Sequence, residues 1–391
     1  MIRGQLAAIL ICVSAALSAW GQSLQDIEAA ALDGPAEVQF QLGEWYRTGN
    51  GVLQNYAKAA RWYELAAKQG DQSATHELGK LLISGLGVAQ DTEAGVELLA
   101  IAVEAGNGNA MNDLAQVFLA DQENTESAKQ AAILLEAATA AGHTDAPVTL
   151  ALLLQSGRGV EKNIARAIEL YQAPADSGNP IAQNNLGLLY ARGESVEQDF
   201  ELAREWFERA AESGNPSAMR NLAAIYQNGF GVEVDEDRAN ELLRAAAAGA
   251  NVVAFVFDER LKPADPQDLQ SYVQGANAGD PIASFYLGYM LVHQPDADAR
   301  LLRQAARAFD TSARKGIPAS MANLGLMMFD GRGVLQDFTE GYAWLTIAAS
   351  SGLPDVVDMR DGLAASMTID QINAAQAMAE KLWNEIQGGP E

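Results

Sequence analysis

Cysteine is nearly absent from this 391-residue chain: Cys12 is the only one. Past that position no disulfide and no thiolate metal site can form, so stability has to come from buried apolar surface. Histidine is almost as scarce, with only His76, His143 and His293. They carry no His-Glu spacing, and they read as surface or capping residues rather than as a general acid–base set. Neither a metal nor a cofactor is expected. Positive charge is the third shortage: 26 Lys and Arg stand against 51 Asp and Glu, for a net charge of −25. Such a surface repels phosphate backbones and anionic lipid, which argues against nucleic-acid binding and peripheral membrane docking.

Long apolar runs are also missing, except at the start. Arg3 is followed by an apolar stretch from Leu6 to Leu17, with Ala19 and Gly21 placed for cleavage before Gln22. That pattern describes an export signal over residues 1–21 and a periplasmic or secreted product with no membrane insertion after cleavage. An uncleaved anchor is the alternative, although the run falls short of the ~20 residues of a spanning helix. Ile11 before Cys12 argues against lipidation.

The main feature is internal repetition. A leucine followed by Gly or Ala recurs every 36 residues at Leu42, Leu78, Leu114, Leu150, Leu186 and Leu222, and returns at Leu287 and Leu324. A glycine closes each unit at Gly70, Gly106, Gly142, Gly178, Gly214, Gly279, Gly316 and Gly352. Asp71, Asn107, Asn179, Asn215 and Asp280 precede the first helix of a pair as caps, and Pro180, Pro216 and Pro281 take its first position, where no amide is lost. An alanine row (Ala74, Ala110, Ala146, Ala182, Ala218, Ala283) permits close helix approach. Gly-x-Gly-Val turns, as at Gly49–Val52 and Gly229–Val232, end the first helix. Asn55, Asp91, Asn163, Asp199, Asp235 and Asp337 then cap the second. Trp62, Trp206 and Trp344 lie at a position that is leucine in other units (Leu98, Leu134, Leu242), so they read as core and not as a ligand cage.

The string Ala182–Tyr190 (AQNNLGLLY), the Gly-x-Gly-Val turn and Trp206-Phe207 with Ala210-Ala211 closely resemble the Sel1-like repeat, a cousin of the tetratricopeptide repeat. The likeness covers about residues 36–352. It implies an all-α, right-handed superhelical solenoid of antiparallel helix pairs, with about eight repeats, one degenerate unit and a C-terminal helical cap. The expected boundaries are a lead-in at 22–35, six repeats over 36–250, a degenerate unit at 251–279, two repeats over 280–352 and the cap at 353–391. Departures are expected to perturb the stack: Asp121–Asn124 and Ser195 in two of the turns, Pro174 kinking a second helix, Pro263 and Pro266 in the degenerate unit, and His293-Gln294-Pro295 in place of a glycine turn. In the cap, Thr368 and Gln371 form a capping box, and Ile372, Ala375, Ala379, Leu382 and Ile386 face the last repeat.

Function is expected to be binding, not catalysis. Helix-wheel geometry sets Glu37, Phe40, Gln41 and Glu44 opposite the apolar stripe of the first helix. In related solenoids the first helices line a concave groove. The candidate groove row is Gln41, Glu44, Glu77, Asn112, Asp113, Asn184, Asn185, Arg220, Asn221, Tyr286 and Asn323. Its amides and carboxylates suit an extended peptide, although the Asn row serves equally well to bridge neighbouring helices. The resemblance implies a scaffold or adapter for a partner protein or peptide in envelope assembly or signalling. One rival reading is a hydrolase of cell-wall peptides or β-lactams, resting on Ser312-Ala313-Arg314-Lys315 as a Ser-x-x-Lys motif, although Ser-Asp-Asn and Lys-Thr-Gly are both missing. A glycan-binding groove is the last option, with Phe40 and Tyr286 as its only aromatics.

Overall fold

The computed structural model describes residues 24–248, 255–262, 268–294 and 297–388. The proposed leader, Pro263, Pro266 and Pro295 therefore lie outside the described residues. Among those described, every regular element is a helix and no strand occurs. None of these helices is long and apolar enough to cross a membrane.

Two compact units divide the chain. One gathers the described residues of Met1–Gly95 and Val253–Glu391, and the other those of Val96–Val252. The first unit holds α1 (Leu24–Ala31), α2 (Ala36–Thr48), α3 (Tyr56–Lys68) and α4 (Gln72–Ser84). It resumes with α14 (Leu269–Asn277), α15 (Pro281–Val292), α16 (Ala299–Ala313), α17 (Pro318–Asp330), α18 (Phe338–Ala349), α19 (Val356–Ala364) and α20 (Ile369–Ile386). Helix α5 (Thr92–Glu104) begins in the first unit and ends in the second. The second continues with α6 (Gly108–Ala120), α7 (Thr125–Ala140), α8 (Ala146–Ser156), α9 (Ile164–Asp176), α10 (Pro180–Arg192), α11 (Phe200–Glu212), α12 (Pro216–Asn228) and α13 (Glu236–Ala248).

Local chemistry explains where these helices start and stop. The side chains of Asn55, Asp71, Asn107, Asn163, Asn179, Asp199, Asn215, Asp280 and Asp337 each accept an amide of the following turn. At α8 the cap is His143, whose Nδ1 accepts from Asp145 N and Ala146 N at 3.2 and 3.1 Å. Ser195, which stands where the turn has glycine elsewhere, takes the same left-handed backbone at φ 62°. Helix α9 runs two residues past Pro174 to Asp176, with Pro174 itself buried.

The glycine of the Leu-Gly row has a packing role. A Cβ at Gly43 would lie 2.4 Å from the Tyr63 ring, one at Gly187 2.6 Å from Phe207, and one at Gly288 2.8 Å from Phe309. Each glycine thus admits an aromatic ring from the second helix of its own pair, which pulls the two helices together. The tryptophans are core as expected, with Trp62, Trp206 and Trp344 all buried.

The last helix has two working faces. Ile372, Ala375 and Ala379 are buried in the core that α18 shares, as the sequence pattern requires. The polar face was not anticipated. Asn373 donates from Nδ2 to Gly85 O (3.1 Å) and accepts from Gly87 N at Oδ1 (2.9 Å), so it grips both ends of a Gly-x-Gly turn. Gln376 accepts from Tyr56 N at 3.0 Å, and Glu380 accepts from Asn55 Nδ2 at 2.7 Å. Below α20, the buried Gln54 accepts from Tyr342 Oη at 2.9 Å, and the fully buried Arg360 donates to Thr48 O at 2.8 Å. The first two repeats and the C-terminal helices therefore form one continuous unit.

Candidate partner-binding face

The candidate row runs along the first helix of each pair, and its members do not share one environment. In the N-terminal repeats Glu44 accepts from Arg47 and from the Tyr63 hydroxyl. Glu77 lies 3.7 Å from Arg47 and 3.2 Å from Lys80, which ties the two repeats together across their first helices. Burial pushes the Glu44 carboxyl up, but the bonds from Arg47 and Tyr63 and the charge of Lys80 outweigh it and hold it below 4.5. His76 is buried beside Glu77 at 3.4 Å, not on the surface as its sequence context suggested. Gln41 remains partly exposed.

In the second unit Asn112 and Asn184 are buried between helices, whereas Asp113, Asn185 and Asn221 are partly exposed and Arg220 is exposed. Asn221 Nδ2 donates to Asn184 Oδ1 at 2.8 Å, and Asn185 Nδ2 donates to the Tyr171 hydroxyl at 3.2 Å. Asn184, two before Leu186, and Asn221, one before Leu222, thus bridge neighbouring repeats, while Asp113, Asn185 and Asn221 keep part of their surface.

The last two members, Tyr286 and Asn323, are already occupied. Residues 255–258 form neither helix nor strand, and Asn323 pairs with Val256 through both atoms of its amide. Oδ1 accepts from Val256 N at 2.6 Å and Nδ2 donates to Val256 O at 2.9 Å. The Tyr286 hydroxyl donates to Lys262 O at 2.7 Å. Asn323 is 0% exposed and Tyr286 8%, so as folded neither is open to a partner. Of the two aromatics behind the glycan reading, Tyr286 is thus enclosed and Phe40 is half-buried against Tyr63.

The Ser-x-x-Lys motif fares no better. Ser312 is fully buried, its hydroxyl donates to Pro281 O at 2.7 Å, and it accepts from Ser320 at 2.7 Å. A side chain so enclosed cannot meet a carbonyl substrate. Among the described residues no three His, Cys, Asp or Glu side chains converge as a metal site would require.

A family model for the Sel1 repeat matches residues 36–71, 72–107, 150–179, 180–215, 216–251 and 318–353, more than half of the chain. The chain belongs to the Sel1 repeat family. The unmatched stretches are those where the pattern departs: the altered turn at Asp121–Asn124, the non-helical segment, and the repeat that carries His293. Among solved structures, a protective antigen of uropathogenic Escherichia coli described as displaying an SLR fold is 24% identical, with a TM-score of 0.54 over 98% of this chain and 85% of that one. A Sel1 repeat protein from Oxalobacter formigenes is 25% identical, with a TM-score of 0.50 over 63% of this chain and 92% of its own. No curated protein matches. Sel1 repeats generally mediate protein–protein interaction, and the scaffold is generally non-catalytic.

Proposed function

We propose that this chain is an exported Sel1 scaffold, periplasmic or secreted, that holds an extended segment of a partner protein along its first helices as an adapter in envelope assembly or signalling. The observation that carries this reading is the pairing of Asn323 with Val256. It is a working example, within the chain, of the row position gripping a non-helical backbone through its N–H and C=O. Asn185 and Asn221 occupy the same position relative to Leu186 and Leu222, and both keep accessible surface. Gln41 and Glu77 hold it in the N-terminal repeats, and Asp113 holds it in the third. Backbone contacts of this kind supply affinity with little sequence demand, while the side chains between them choose the partner. The net charge of −25 favours partners that are neutral or basic.

Photo-crosslinking residues placed at Asn185 and Asn221 are expected to trap the partner in an envelope fraction. The same probe at Ile133, exposed on the second helix α7, is expected to trap little. Adducts from Ile133 alone would overturn the reading.

A further inference from the structure

The non-helical segment differs in kind from the rest of the stack. Where every other repeat offers a first helix, residues 255–258 form no regular element and reach from α15 to α17. Its backbone is held by side chains, from Tyr286 and Asn323. Its side chains are held by aromatics: Phe257 lies 5.0 Å from Tyr289 and 5.6 Å from Phe285, and Phe255 lies 6.3 Å from Phe309 with the Arg332 guanidinium 4.6 Å above its ring. The Asp258 carboxylate takes three bonds from Arg260, one from its amide and two from its guanidinium, inside the segment itself.

Asn323 shows that this arrangement is a built site. Helix α17 is otherwise lined on its buried side by alanine, serine, methionine, leucine and phenylalanine, and an asparagine at 0% exposure costs stability unless both its amide groups are paired. Its amide pairs with the N–H and C=O of Val256. An apolar residue would fill the same space if the position served packing only. The amide is explained by a non-helical backbone across α17, whichever chain supplies it.

We infer that the face of α15 and α17 is a peptide-recognition site whose resident occupant is residues 255–262. A partner segment with aromatic residues at alternate positions exchanges with that occupant, and the resident segment is therefore autoinhibitory. The inference rests on the reading of the first helices as a peptide-binding face, and it adds a partner pattern and a gate at this end. The contacts to Val256 and Lys262 are to backbone and carry over to any such segment. The two phenylalanines supply the selection. A competing segment needs no rearrangement of the helices, only release of the one that lies there, and its apparent affinity is reduced by the fraction of molecules in which the site is filled.

The test uses a fluorescein-labelled peptide of the sequence Phe255–Lys262 and fluorescence polarisation on the full chain. The double variant Phe255→Ser/Phe257→Ser weakens the resident and leaves Asn323, Tyr286, Tyr289 and Arg332 untouched. It is expected to bind the peptide about tenfold or more tightly than the unmodified chain. Adding Asn323→Ala is expected to abolish that gain, and a scrambled peptide is expected not to bind. Equal binding by the double variant and the unmodified chain, or none by a variant of unaltered helicity, would overturn the proposal. If the double variant fails to fold, hydrogen exchange on the unmodified chain reads the same event. The Val256 amide is expected to lose protection as unlabelled peptide is added, and unchanged protection at saturating peptide refutes exchange at the site. Crosslinking at Asn185 and Asn221 samples the other unit, so either result can fail while the other stands.

Discussion

Gly87 and Gly70 both have left-handed backbone, with φ of 70° and 89°, yet their surroundings differ completely. At Gly70 an added Cβ would meet nothing within 4 Å. At Gly87 it would lie 2.3 Å from Ala57 N and 2.4 Å from Tyr56 C, both backbone atoms at the start of α3. Replacement by alanine therefore costs Gly70 only the conformational penalty, about 1–2 kcal/mol. Gly87→Ala carries the same penalty and a clash that no side-chain rotation relieves, on the order of 1–3 kcal/mol more. Relief requires the turn to move away from α3, which also stretches the 2.9 Å bond from Gly87 N to Asn373, with up to about 1.5 kcal/mol at stake. The totals are roughly 2–6.5 kcal/mol for Gly87→Ala and about 1–2 kcal/mol for Gly70→Ala. At ~3 °C per kcal/mol, scanning calorimetry is expected to show a fall of roughly 6–20 °C for the first and about 3–6 °C for the second in the transition of the unit that contains them. Equal shifts for the two variants would refute the claim that the second glycine of the turn is a contact between repeats.

Glu44→Gln tests the charged network of the first two repeats. The Glu44 carboxyl is held below its ordinary value of 4.5 when folded, so its contribution is present above that value and is lost as pH falls through the folded one. The stability gap between unmodified chain and variant, read by urea unfolding from pH 6 downward, is expected to shrink below about pH 4.5; a gap independent of pH counts against the network. Thr368→Ala breaks the capping box of α20, in which the Thr368 hydroxyl accepts from Gln371 N at 3.3 Å. A cost of about 1 kcal/mol is expected, together with faster exchange of the Gly87 amide through Asn373. Lost stability without faster exchange would show that α20 does not guard that turn.

The helix pairs were legible because each signal in them is local. A cap, a turn glycine and a stripe at helical spacing repeat every 36 residues, and the structure places each where that period demands. The non-helical segment was not legible as an occupant. Phe255-Val256-Phe257 is a short apolar run, and only the fold brings Asn323 across to it, 67 residues further on. For the same reason Tyr286 and Asn323 are indistinguishable in the sequence from Asn185 and Asn221, since nothing local marks a site as filled. The polar face of α20 was silent too: Asn373, Gln376 and Glu380 sit on what a wheel diagram marks as the solvent side. Their partners lie 286 to 325 residues earlier.

Those separations bear on the order in which the chain matures. Closing a loop of several hundred residues costs more entropy than stacking one hairpin on the next, and the gain arrives only when both ends exist. During synthesis the contiguous unit at 96–252 can consolidate while Asn55, Tyr56 and the turn at Gly85–Val88 still await their partners. The earliest repeats to be made are thus among the last to be finished, and a nascent chain arrested before α20 would display open N-terminal turns to chaperones and proteases.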